Sequence, residues 1–231
     1  MNRDTTHSVL MITLGAALAF ASALTQAQTT YRLTDLGTLG GSRSTGLAIN
    51  DSGQVTGYSD TTGNTAYQVF ISNGQEMQKL GTLGGTLSLG FAINASGQVA
   101  GWAMVTGSTG QHAFLWDGTV MQNLGTLGGT GGIGRAINAS GQVTGNADTT
   151  GNAGNHAFLW DGTVMQDLGT LGGTNSNGVA INASGHVTGN ADTAGNINHA
   201  FLWDGSATQD LNALIDPALR SCVAVQSHRN A

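Results

Sequence analysis

Charge is scarce in this sequence, and cysteine and proline are nearly missing. Only 9% of the 231 residues are charged, with Lys+Arg 7 against Asp+Glu 13. No basic surface is large enough to neutralise a phosphate backbone, so nucleic acid is excluded as a partner. Cys222 is the single cysteine, which rules out an intrachain disulfide and a thiolate metal cluster. The fold must therefore rest on burial and hydrogen bonds. With Pro 1, backbone N–H groups are available to sheet ladders almost everywhere. Long apolar runs are also missing, with one exception near the start. Val9 to Leu24 is apolar but shorter than the roughly 20 residues of a membrane span, and small residues follow it. Residues 1–27 read as a signal peptide cleaved after Ala27, with no membrane attachment afterwards.

What the chain does have is glycine, Gly 37, together with much Thr, Ser and Asn, which is the composition of tight turns between strands. It also repeats. Leu36, Leu80, Leu124 and Leu168 stand 44 residues apart, and the Ala-Ile-Asn words ending at Asn50, Asn94, Asn138 and Asn182 keep the same step. A fixed period of this length marks an array of one supersecondary unit.

Within a unit, short apolar runs between turn residues predict four antiparallel strands. The first ends at Ala-Ile-Asn. A three-residue turn closed by Gly53, Gly97, Gly141 or Gly185 leads to Gly-Gln-Val (Gly-His-Val in the last copy). The third strand, such as His112-Ala113-Phe114-Leu115-Trp116, is apolar at adjacent positions and is expected to be covered on both faces. Asp117-Gly118 reads as a two-residue hairpin turn into a fourth strand carrying Val120, Met121 and Leu124, after which Gly-Thr-Leu-Gly-Gly crosses to the next copy. Such a sheet cannot bury both faces alone and must stack on its neighbours. The expected fold is all-β, a β-propeller-like array of four four-stranded blades over residues 31–217, with an extra N-terminal strand at 31–39. A β-solenoid is the alternative, and 218–231 read as an irregular tail. Complete sets fall at 45–83, 89–127, 133–171 and 177–215. The unmatched strand leaves two possibilities, a small ring or an open arc that associates through its strand edges.

The words His-Ala-Phe-Leu-Trp at His112, His156 and His199, preceded by Ala-Ile-Asn-x-Ser-Gly and followed by Asp-Leu-Gly-Thr-Leu-Gly-Gly, resemble the HAF-repeat family of extracellular repeat proteins. The resemblance covers about residues 31–217. It implies a secreted bacterial protein of propeller type without an assigned activity. The first copy departs from it, with Gln68-Val69-Phe70-Ile71-Ser72 in place of the HAF word.

Candidate sites are few. Asn50, Asn94, Asn138 and Asn182 are placed to line the central channel, where a ring of amide oxygens suits a hard cation. The competing role is an Asn side chain bonding its own turn. The three histidines, one per blade on the third strand, do not converge and are expected to bridge a loop carbonyl to a neighbouring blade. The loops opening at Asp60, Asp148 and Asp192 each bring one carboxylate, too few for calcium. No acid breaks the repeat in the way an active site does, so no catalytic residue, cofactor or metal is assigned. The expectation is a secreted, noncatalytic scaffold whose loops bind an extracellular protein or glycan, with Trp102, Met104 and Arg135 the clearest departures from the repeat. The alternatives are a hydrolase or lyase with its site at a channel end bearing the Asn ring and loop aspartates, and a structural envelope component that assembles edge to edge.

Overall fold

Each repeat folds into a four-stranded antiparallel meander, and four such sheets stack face to face in a computed structural model that describes residues 31–107 and 110–214. The first blade holds β1 (Gly40–Ile49), β2 (Val55–Thr61), β3 (Tyr67–Ser72) and β4 (Met77–Gly81). The second holds β5 (Gly84–Ile93), β6 (Val99–Val105), β7 (Gln111–Trp116) and β8 (Met121–Gly125). The third holds β9 (Gly128–Ile137), β10 (Val143–Thr149), β11 (Asn155–Trp160) and β12 (Met165–Asp167). The fourth holds β13 (Gly172–Ile181), β14 (Val187–Thr193), β15 (Asn198–Trp203) and β16 (Thr208–Asp210). Strand order within each sheet follows the sequence, and no sheet is closed by a strand from another. The expected β-propeller-like architecture of four blades is what forms.

The core sits between the sheets. Phe70, Phe114, Phe158 and Phe201, one per third strand, are fully buried. Around them the side chains of consecutive blades form shared clusters: Val69 and Ile71 pack with Val99 and Trp116, and Ala113 and Leu115 pack with Val143 and Trp160. Both faces of an inner blade are therefore covered, as the adjacent apolar residues of the third strand required. Burying one phenylalanine contributes about 1.5–3 kcal/mol, and the repeat supplies four.

Blade boundaries fall elsewhere than expected. The Gly-Gly after Thr-Leu opens the first strand of the next blade, so β5, β9 and β13 each run ten residues from that pair. Together with β1, those strands carry a bulge near Gly46, Gly90, Gly134 and Gly178. The bulge drives the carbonyl of Thr45, Leu89, Ile133 or Asn177 against the second strand, and a Cβ at the facing Gly57, Gly101, Gly145 or Gly189 would overlap it. Only glycine fits there.

Two other expectations are corrected. Residues 31–38 form no strand, and Leu39 makes one parallel bridge to Thr61. A fourth strand pairs only with the third strand of its own blade, and among the described residues none pairs with 31–38. The Asp-Gly turn spans four residues, not two: Trp116 pairs with Met121, and Asp117 N–H donates to the Val120 carbonyl at 3.2 Å. The Asp117 Oδ1 accepts from the N–H groups of Thr119 and Val120, both at 2.8 Å, which makes the longer turn stable. The signal peptide expected at 1–27 and the tail at 218–231 lie outside the described residues. Among the described residues, no helix is long and apolar enough to cross a membrane.

Candidate functional site

The strands fix two ends of the array. In the third blade, Val143 pairs with Ile137 and with Trp160 at one end of β10, and Asp148 pairs with Asn155 at the other. The second strand separates the two ends by about 20 Å at its ordinary rise. The Asn turns occupy the first end, whereas the loop aspartates and the histidines occupy the second. The Asn ring and the loop aspartates are therefore not at one channel end, as the hydrolase alternative had placed them.

At the first end every asparagine is held within its turn and between blades. Asn138 Oδ1 accepts from the N–H groups of Ser140 and Gln142, both at 3.0 Å. Its Nδ2 donates to Gln142 Oε1 at 2.7 Å and to the Asn182 carbonyl in the next blade at 3.0 Å. Asn50 and Asn94 repeat the arrangement, donating to the carbonyls of Asn94 and Asn138. Asn182 keeps the turn bonds from Ser184 and His186. The amide oxygens point into their own turns, so the role these residues perform is a seam joining blade to blade.

At the second end, His156 Nδ1 lies 2.9 Å from Asp167 Oδ2 and 3.0 Å from its Oδ1. His199 Nδ1 lies 2.9 Å from Asp210 Oδ2, and His112 Nδ1 lies 3.0 Å from Asn123 Oδ1. The imidazoles thus pair with the fourth strand of their own blade and do not bridge a loop carbonyl to a neighbour. Gln68, at the same position of the first blade, does reach across, donating to the Thr86 carbonyl at 3.3 Å. The His199 hydrogen bond is the main cause that holds the Asp210 carboxyl below its usual range. The His156–Asp167 pair opens onto a groove of about 520 Å³ lined by Thr149, Thr150, Gly154 and Thr174. A ring nitrogen tied to a carboxylate, in a histidine that lines a groove, is the base-and-orienter arrangement used to activate a nucleophile. Sequence reasoning passed over Asp167 because it explained each acid by its place in the repeat. The signal was available as His and Asp eleven residues apart in the third and fourth copies, against His and Asn in the second.

Two of the three loop carboxylates are held by amides. Asp148 accepts from Asn155 Nδ2 at 2.9 Å, and Asp192 accepts from Asn175 and Asn198, with the Asn198 bond the largest influence lowering its carboxyl. Asp60 pairs with Arg43 at 3.4 Å. No group of three His, Cys, Asp or Glu side chains set to hold a metal occurs among the described residues. Trp102, Met104 and Arg135, expected on loops, stand on strands β6 and β9. Trp102 packs edge-on against Tyr67 with ring centroids 6.2 Å apart. The Arg135 guanidinium lies 5.8 Å from the centre of the Phe91 ring, and its Nε donates to Asn146 Oδ1 at 3.0 Å.

No family model and no curated protein matches the chain. Solved structures do. One is the β-propeller domain of the trilobed protease from Pyrococcus furiosus, described as having an open velcro topology: TM-score 0.50, 13% identity, covering 72% of this chain and 51% of that one. Another is the acylaminoacyl peptidase of Pyrococcus horikoshii: TM-score 0.49, 13% identity, covering 72% of this chain and 26% of that one. The chain spans about half the length of the first and about a quarter of the second. At such identity the likeness establishes the β-propeller architecture. Against the expectation of a noncatalytic scaffold for protein or glycan, the propeller that matches at TM-score 0.50 is described as a domain of a protease. The hydrolase alternative is carried forward instead.

Proposed function

We propose that the chain is a secreted propeller of a hydrolase, acting on acyl or peptide bonds at the end of the array that carries His156 and Asp167. The observation that carries the reading is that pair at the groove, with side-chain exposures of 23% and 43%, partly sheltered yet reachable. In this role Asp167 fixes the imidazole through Nδ1, and Nε2 takes the proton of a water as its oxygen adds to the acyl carbon. The proton then passes to the leaving group. Thr149, Thr150 and Thr174 border the groove and give it a polar margin suited to a polar substrate. The peptidase origin of the matched propeller supports the reaction class, and the apolar segment from Val9 to Leu24 together with the HAF-type words supports an extracellular setting.

The test is turnover of a panel of peptidyl and acyl ester substrates by the purified chain. His156→Ala and Asp167→Asn should each lower kcat by about 100-fold or more, while His112→Ala, at the blade whose partner is an amide, should leave it unchanged. A chain that hydrolyses nothing above the buffer rate, or whose turnover survives His156→Ala, overturns the proposal.

A further inference from the structure

Three copies of one junction hold the four blades together, and each copy has the same two halves. The earlier blade gives residues such as Ala113 and Leu115, or Ala157 and Leu159, all buried. The later blade receives them beside Ile93, Ile137 or Ile181, each packed against the shared core cluster. The seam closes every junction through Asn Nδ2 and the Asn carbonyl of the next blade.

Each end of the array presents one half without the other. On the fourth blade, the counterpart of buried Ala157 is Ala200, which is exposed, and that of Leu159 is Leu202, which is half-buried beside a cavity of about 200 Å³. Asn182 Nδ2 donates to no group among the described residues. On the first blade, the counterpart of Ile93 is Ile49, 68% exposed, beside Leu47 at 43%. These two line a cavity of about 250 Å³ with Gly46 and Val55. A methyl at Gly178 would run into Thr144 of the preceding blade, whereas one at Gly46 meets only Val55 of its own. Phe70 and Ser72 of β3 are already buried, so the exposed apolar side chains of this blade are Leu47 and Ile49 on β1.

What each end lacks is what the other end offers. We infer that a second copy of this chain seats the receiving face of its first blade on the giving face of the fourth, repeating the internal junction, and that the reciprocal contact closes a two-chain ring. Asn182 of one copy then donates to the Asn50 carbonyl of the other, and Ala200 packs where Gly46 and Val55 leave room. A head-to-tail contact either propagates or closes. Closure is favoured here because each copy carries one giving and one receiving face, so two reciprocal contacts leave neither face open. The ring has about eight blades, the upper end of the usual propeller range.

Light scattering of the purified chain reads this directly and independently of any hydrolysis. The expected mass is twice that of one chain. Ile49→Asp and Ala200→Asp, both at exposed positions, should each give a monomer with an unchanged far-ultraviolet circular dichroism spectrum, since every junction uses one of each residue. An equimolar mixture of the two variants should recover a dimer, because the intact giving face of one meets the intact receiving face of the other. A monomeric wild type overturns the inference, and so does a dimer that withstands both substitutions or a mixture that stays monomeric.

Discussion

Ser88 of the second blade bridges to Val69 of the first: its Oγ accepts the Val69 N–H at 3.0 Å and donates to the Gly81 carbonyl. Ser176 does the same between the fourth blade and Ala157 of the third, at 2.8 Å. The third blade carries Gly132 at this position, and there the backbone closes in until a Cβ would lie 2.9 Å from the Gly125 carbonyl. One junction thus dispenses with the hydroxyl by tighter approach, and two depend on it.

Ser88→Ala and Ser176→Ala should therefore each cost about 2 kcal/mol, since a buried N–H is left without its acceptor. In a domain of this size that lowers the thermal midpoint by about 4–8 °C. Ser88→Gly should cost less than Ser88→Ala, because the backbone can then close as it does at Gly132. Calorimetry of the three variants decides it, and equal losses for Ala and Gly would show that the hydroxyl is not what holds the junction.

Asn138 and Asn182 have the same turn but different neighbours. Asn138→Ala removes the two bonds its oxygen accepts and the two its nitrogen donates, one of them to the next blade. The expected loss is about 2–4 kcal/mol. In the Ala200→Asp background, where no second copy is seated, Asn182→Ala removes only the turn bonds from Ser184 and His186, for about 1 kcal/mol. Denaturant midpoints of the two variants measure the difference, which is the contribution of the two Nδ2 bonds, one to Gln142 and one across the seam. If the two variants lose stability equally, the bond across the junction contributes nothing.

The period, the four strands per unit and the glycine-closed Asn turn were legible because each is local: spacing, alternation and a left-handed residue such as Gly97 or Gly141 are written within a few neighbours. What lay between blades was not. Nothing near Asn138 announces that its amide reaches Asn182, 44 residues away. The glycine of Gly-Gln-Val-Thr-Gly reads as one more strand residue until the bulge facing it is known, and that bulge lies on the partner strand, at Gly46 for Gly57. The His156–Asp167 pair was missed for a different reason. Both residues recur as His199 and Asp210 in the fourth copy, and a repeated residue was assigned to folding, although a repeat can place a reactive pair as readily as a structural one.

The Asp-Gly turns tie stability to pH. In the fourth blade, Asp204 Oδ1 accepts the Ser206 hydroxyl at 2.7 Å and the N–H groups of Ser206 and Ala207 at 3.0 and 3.2 Å. The Ser206 hydroxyl bond is the largest influence, and together these lower the carboxyl to a pKa of about 2. Asp117 and Asp161 are lowered by the same turn, chiefly through the N–H groups of Val120 and Val164. A carboxyl whose pKa is depressed on folding stabilises the fold at every pH above its unfolded value near 4, and the contribution disappears as pH falls toward the folded value. The thermal midpoint should accordingly stay flat from neutral pH to about 5 and fall between about 4 and 2. Asn73 holds the equivalent turn of the first blade with an uncharged oxygen, accepting from Gln75 and Glu76 at 2.9 and 3.0 Å. Asp204→Asn should consequently keep the turn while removing its titration, so that the variant begins slightly less stable at pH 7 and loses less on acidification. Melting curves of the two proteins across that range should converge as pH drops. Parallel curves would remove Asp204 from the acid response.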